Sequence, residues 1–290
     1  LREIFEPDEE QALKVQLVCE LLGYSLMSHC RFEKFIMMIG EGANGKSVLL
    51  AVLEALVGRR NVAAVQPSEF ANKFQRAHLQ DKLANIVSEL KEGAVIDDNA
   101  LKAITSGEVT TVERKHKDPF DLHPFSTCWF GANHLPHTRD FSDALFRRAV
   151  VIPFNRVFTE NEQDKKLKDS LLDELPGILN LALDAFGAVI DRGIFTHVNE
   201  VEKAKGEWRR EIDQVHQFVD DECELGAGFS ITSTLLYQKY REWSFDQGIT
   251  RMMSQRGMTN RLKRFGVRPG KSGNSRKLFG IRTIKIGRFI

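Results

Sequence analysis

Gly40-Glu41-Gly42-Ala43-Asn44-Gly45-Lys46-Ser47 decides how this chain is read. It has the form G-x-x-x-x-G-K-[ST], the phosphate-cradling loop of nucleotide-hydrolysing proteins. The residues before it, Phe35-Ile36-Met37-Met38-Ile39, are an apolar run of strand length. The residues after it, Val48 to Leu56, read as a helix. Glycines let backbone N–H groups turn inward around an anion, and the helix start adds its positive dipole end. Lys46 is expected to reach the β- and γ-phosphates and the Ser47 hydroxyl to ligate Mg²⁺. Gly40 through Val48 is therefore the candidate nucleotide-binding segment, and ATP with Mg²⁺ the expected cofactor pair.

The chain has 290 residues, enough for two domains with cores of their own. Apolar content of 42% and charged content of 28% fit a globular protein, and no apolar run reaches the length of a membrane span. A cytoplasmic location is expected. The start, Leu1-Arg2-Glu3-Ile4, lacks methionine and a signal layout, so the chain reads as a piece of something longer. Cys19, Cys30, Cys128 and Cys223 are too scattered for a zinc site and read as buried free thiols. The net charge of +1 hides an asymmetry. Residues 251–290 hold twelve Lys/Arg and no Asp or Glu, which leaves 29 basic against 40 acidic residues before them. A basic tail on an acidic body points to a polyanionic partner.

Outward from the loop, residues 8–30 read as one helix with Leu13, Leu17 and Leu21 on its apolar face. Leu83 to Glu89 reads as a strand ending in an acid, placed to polarise an attacking water and help hold the metal. Residues 97–106 read as a helix capped by Asp97 or Asp98. Residues 107–120 read as a β-hairpin with Arg114, Lys115, His116 and Lys117 at its tip, suited to phosphate contacts. Phe125 to Asn133 reads as a buried strand ending in an amide that can orient water or sense a γ-phosphate. Arg147 and Arg148 precede a further strand, where an arginine can reach into a neighbouring subunit's site.

These motifs together resemble the superfamily 3 helicases, in the phage/plasmid and poxvirus-type primase-helicase branch. The resemblance rests on GEGANGKS at 40–47, LANIVSEL at 83–90, LKAITSGEVTTVERKHKDPF at 101–120, GAN at 131–133 and FRRAVVIPF at 146–154. It implies an α/β chain with an AAA+ P-loop core working as a hexameric ring on single-stranded and forked DNA. It implies Lys46 and Ser47 on nucleotide and Mg²⁺, Glu89 as catalytic acid, Asn133 as sensor, and Arg148 or Arg147 as the finger supplied across the interface. It also implies a grip on single-stranded DNA by Arg114, Lys115, His116 and Lys117, and a primase domain or primase/polymerase as associate. The lone acid at Glu89, with Ser88 before it, departs from the adjacent acid pair common in AAA+ proteins.

Beyond the motor, Thr159 and Glu162 read as a capping box opening a helix, and Pro176 as the first turn of another. A long helix is expected from Asn199, with Val201, Trp208, Ile212, Val215 and Val219 on one side. Residues 230–246 and 254–265 read as two helices, followed by a turn over 270–277 between short strands. That arrangement predicts a winged helix-turn-helix, with Arg256, Arg261, Lys263, Arg264, Arg276 and Lys277 as DNA contacts. The expected layout is a helical collar at 1–32, the motor at 33–157, a helical subdomain and connector at 158–224, and the winged-helix domain at 225–290. An ATP-switched origin-binding initiator without unwinding activity is the alternative reading. A small-molecule P-loop kinase is a third, but it has no use for the basic tail.

Overall fold

The computed structural model describes residues 1–91, 93–138, 143–249, 252–273 and 275–284. The chain forms two compact units, Leu1–Trp208 and Arg209–Ile290.

The first unit is built on five parallel strands, β1 (Phe35–Ile39), β2 (Val62–Ala63), β3 (Ala84–Val87), β6 (Thr127–Ala132) and β7 (Ala149–Pro153), in the order β2-β3-β6-β1-β7. Parallel strands are covered on both faces and read as nearly unbroken apolar runs, which is why these segments stand out in the sequence. All six residues of β6 are buried. A separate two-stranded hairpin joins β4 (Thr110–Val112) to β5 (Phe120–Leu122).

Helices α2 (Lys46–Val57), α3 (Lys73–Arg76), α4 (Asp98–Ser106) and α5 (Asp143–Phe146) lie in the crossovers, with α1 (Gln11–Tyr24) before the first strand and α6 (Leu167–Asp173), α7 (Leu175–Arg192) and α8 (Asn199–Ile212) after the last. Ile36, Met38, Trp129, Val150 and Ile152 of the sheet share one core with Leu17 and Leu21 of α1, Leu50 and Leu53 of α2, and Phe186 and Val189 of α7. Phe35 and Phe130 pair with ring centroids 6.4 Å apart, and Phe70 lies 6.3 Å from Phe130. Asp97 caps α4 by accepting from the Ala100 N–H, as its position before the apolar run predicts.

Three helical expectations change. The helix predicted over 8–30 spans only Gln11–Tyr24, and Leu13 is 43% exposed rather than on the core face. Thr159 and Glu162 form only half of the expected box: Glu162 accepts from both the backbone N–H and the hydroxyl of Thr159 at 2.8 Å, and its own N–H goes to the Thr159 carbonyl instead of the hydroxyl. The box closes an isolated turn, however, because helix begins only at Leu167. The single long helix expected from Asn199 breaks at Asp213. That side chain accepts from the Val215 N–H and so caps a new helix, α9 (Gln214–Glu222).

The second unit continues with β8 (Cys223–Thr232), α10 (Ser233–Asp246), α11 (Gln255–Leu262), β9 (Arg268–Ser272) and β10 (Ser275–Thr283). The strands form an antiparallel sheet in the order β8-β10-β9. Strand β8 was not expected, and the helix predicted from Ser230 starts instead at Ser233, capped by Thr232. Ser254 caps α11, and Gly266 ends the following turn at φ +78°. The turn is tighter than predicted, since 270–272 and 275–277 are strand, and Asn274 lies outside the described residues. Leu236, Tyr240, Met258, Leu262, Leu278 and Ile281 make this unit's core, while Leu235 is 46% exposed. Among the described residues no helix is long and apolar enough to cross a membrane. All four cysteines are free, and burial pushes the Cys30 thiol up to about 11 and Cys223 up to about 12.

Candidate functional site

Three strand ends converge at the C-terminal edge of the parallel sheet. Ile39 of β1 lies beside Ala132 of β6, and the Gly40 N–H donates to the Ala132 carbonyl at 3.3 Å. Asn133 therefore emerges next to the start of the glycine loop, and it is exposed. The Leu90 N–H donates to the Gly131 carbonyl at 2.8 Å, which sets exposed Glu89 on the other flank of β6. Strand β3 is not the direct neighbour of β1, since β6 runs between them.

The loop itself is bent for an anion. Ala43 and Gly45 take positive φ of 55° and 87°. A side chain at Gly40 would strike the Phe154 carbonyl and the Asn44 amide, so only glycine fits that turn. The Phe154 and Phe158 N–H groups donate to the Ile39 and Ala43 carbonyls at 2.7 and 2.8 Å, strapping the loop from outside. Buried Asn44 donates to the Glu41 carbonyl. The Lys46 ammonium is folded into the loop, donating to the carbonyls of Gly40 at 2.5 Å and Glu41 at 3.2 Å and to Asn44 Oδ1 at 3.1 Å. Burial lowers its pKa, and the charge of Glu89 counters part of that fall. A cation held only by neutral oxygens inside a ring of backbone is what a polyphosphate would engage, so these residues fit a nucleotide. Ser47 is exposed on the first turn of α2.

Arg147 and Arg148 sit at the other edge. Phe35, the first residue of β1, pairs with Ala149, and its N–H donates to the Arg148 carbonyl at 2.9 Å. A five-residue strand, about 16 Å, separates them from their own loop. The two arginines differ. Arg148 is 7% exposed and donates to the Ala144 carbonyl at 2.6 Å and Ser106 Oγ at 2.7 Å, with Glu33 at 2.7 Å. Arg147 is exposed, with Glu33 only at 3.8 Å. The arginine preferred from sequence is thus consumed inside its own chain, and the second choice is the one on offer.

Sequence reading missed the surroundings of this pair. Arg31, Phe32, Glu33 and Lys34 join the arginines in lining a cleft of about 290 Å³, and Lys34 donates to the Arg147 carbonyl at 2.5 Å. Burial lowers the Lys34 pKa. The charged run 31–34 directly before an apolar strand was the available signal.

The hairpin tip matches its prediction. Arg114, Lys115, His116 and Lys117 are exposed, and the Lys117 N–H donates to the Arg114 carbonyl at 3.1 Å. Arg114 is tethered, donating to Gln80 at 2.6 Å with its guanidinium 5.2 Å from the Phe120 ring centre.

In the second unit Arg256, Lys263, Arg264 and Arg276 are exposed, and Lys277 is half-buried. Arg261 is a correction to the DNA-contact set. It is 7% exposed and grips Asp213 through Nε and Nη2, both at 2.6 Å. It locks α11 to the start of α9 and does not face solvent. Of the twelve basic residues of the tail, Arg251, Lys285 and Arg288 lie outside the described residues.

Comparison with known proteins agrees with the motif reading. Residues 38–148 match a family of unknown function (DUF5906), and residues 210–270 match the poxvirus D5 protein-like family. The chain is 26% identical over 266 residues to the "Putative helicase L207/L206" of Acanthamoeba polyphaga mimivirus, which covers 82% of this chain and 27% of that protein. It is 25% identical over 244 residues to the "Putative helicase V13" of Sputnik virophage, covering 75% of this chain and 30% of that one. The chain thus spans under a third of the length of these relatives. A solved apo structure of the NrS-1 C-terminal region shares the fold at a TM-score of 0.53 and 14% identity, over 96% of this chain and 73% of that one.

Proposed function

We propose, for a chain of the superfamily 3 primase-helicase type, that it is an ATP-driven DNA helicase motor working in replication of a phage, plasmid or related element. The observation that carries this is the split of the site between two edges of one sheet. Loop, Glu89 and Asn133 meet at the C-terminal edge, and Arg147 stands exposed at the opposite one. A ring of copies, expected to number six, brings the second edge of each subunit to the first edge of the next.

When bound, Mg²⁺-ATP supplies the phosphoanhydride whose hydrolysis drives the motor. Lys46 and the backbone of 40–48 hold the phosphates, with Ser47 and Glu89 beside the metal. Glu89 draws a proton from water, and Asn133 orients that water. Arg147 of the adjacent copy places its charge where negative charge develops. Arg114 to Lys117 grip one DNA strand in the channel. Helix α1 forms the collar, and α10, α11 and the β9–β10 hairpin form a winged helix. There α11 and the turn after it enter a major groove through Arg256, Lys263 and Arg264, while Arg276 in the hairpin follows phosphates. A primase domain or primase/polymerase is the expected associate.

Lys46→Ala is expected to abolish ATP hydrolysis and unwinding of a forked duplex while duplex binding persists. Normal hydrolysis by this variant would sink the site assignment. Strand displacement by the pure wild-type protein separates the motor from an ATP-switched origin-binding initiator, which would bind without unwinding.

A further inference from the structure

The sheet of the second unit has a face that the helices do not use. Leu278, Ile281 and Ile231 point into the core with α9, α10 and α11. Side chains alternate along a strand, so Lys277 and Phe279, which flank Leu278, point the other way. Residues directly opposite on an antiparallel pair share a face, which adds Arg268 and Gly270 of β9 and Ser230 and Thr232 of β8. Beyond the register shift after Phe279, Arg282 lies opposite Glu224 and turns outward like its partner. Its guanidinium stacks 3.8 Å from the centre of the Phe229 ring.

The outer face thus displays two phenyl rings and three cations. Phe279 is 36% exposed and lies over Gly270, where any side chain would strike the ring. Phe229 is half-buried, backed by Gly226 on one side and by Arg282. Among the described residues the one acid on that face, Glu224, is paired with Arg282 at 2.6 Å, which leaves Arg268 and Lys277 to set the sign. An exposed ring, Phe279, rimmed by Arg268 and Lys277 and flanked by the Phe229–Arg282 stack, matches an unpaired base on a charged backbone rather than a duplex, whose bases are already stacked.

We propose that this outer face, built from Phe229, Phe279, Arg268, Lys277 and Arg282, is a stacking platform for single-stranded nucleic acid. It lies on the side of the sheet away from α11. One copy of this unit can therefore hold a duplex on its helical side and a displaced single strand on its sheet side. The inference concerns binding alone and survives or fails independently of ATP hydrolysis.

The test uses the full chain carrying Lys115→Ala and Lys117→Ala, so that the hairpin tip does not mask the platform. Fluorescence anisotropy compares a labelled oligo(dT) of about 12 nucleotides, within the span of known single-strand sites, with a labelled hairpin duplex. Replacing both rings, Phe229→Leu with Phe279→Leu, keeps apolar cover over the glycines but removes stacking. Oligo(dT) affinity is expected to fall roughly 5- to 150-fold per lost base contact, with duplex affinity unchanged. Phe279→Trp in place of leucine is expected to keep it. Unchanged oligo(dT) binding by the double leucine variant overturns the proposal, as does an equal loss for duplex. In a second arm, photocrosslinking of bromodeoxyuridine-substituted oligonucleotide to the wild-type chain is expected to label the peptide containing Phe279. Labelling confined to residues 107–123 overturns it without any substitution.

Discussion

Two adjacent arginines with the same chemistry have different fates here because of one backbone step. Arg148 points inward to Ala144, Ser106 and Glu33, while Arg147 points to solvent. Arg148→Ala leaves those acceptors without their donor, a loss of about 1–3 kcal/mol that a thermal melt would register as a drop of several degrees. Arg147→Ala breaks only a long, exposed contact and is expected to leave the melt unchanged while hydrolysis falls about 10³-fold or more. The reverse pattern would return the finger to Arg148. Local spacing makes the glycine loop, Glu89 and Asn133 legible, because a motif of contiguous residues carries its own geometry. It does not separate Arg147 from Arg148, or Arg261 from Arg256. Which member of a basic run is buried depends on partners distant in sequence, such as Glu33 and Asp213.

Elements buried on both sides announce themselves, and those stabilised by distant partners do not. Strands β1, β6 and β7 read directly as apolar runs. Strand β8 escapes because Glu224, Gly226 and Gly228 interrupt its pattern and its ladder is formed with residues 277–283. The break between α8 and α9 escapes because the apolar spacing of Trp208, Ile212, Val215 and Val219 runs through it unchanged. Asp213 overrides that spacing by capping α9 and pairing with Arg261 while both are buried. Asp213→Ala removes the cap and the buried ion pair with Arg261, and is expected to cost about 3–5 kcal/mol in urea unfolding. The exposed Lys239–Glu242 pair supplies the contrast, with Lys239→Ala expected within about 1 kcal/mol of wild type. If the two variants unfold alike, the break has another cause.

For the whole molecule, the decisive feature is that the loop and Arg147 occupy opposite ends of parallel strands and cannot meet within one chain. The shape of an assembly that joins them is testable by mixing. Lys46→Ala subunits lack a working loop but still present Arg147. Arg147→Ala subunits keep the loop but present no finger. Each alone is expected to be inactive. In a mixed ring, a site formed by the loop of the second kind and the arginine of the first is intact. With random exchange at equal amounts about a quarter of sites are of that type, since loop and neighbouring arginine each have even odds. Hydrolysis should therefore return to about a quarter of wild type once the subunits have exchanged, and not before. Exchange is followed separately, by energy transfer between labelled copies. Full exchange with no recovered hydrolysis would mean that Arg147 serves no neighbour, and the ring mechanism would lose its support. An arginine serving the loop of its own chain would likewise give no recovery at full exchange, because every chain then carries one defect, and the parallel register of β1 and β7 forbids that arrangement.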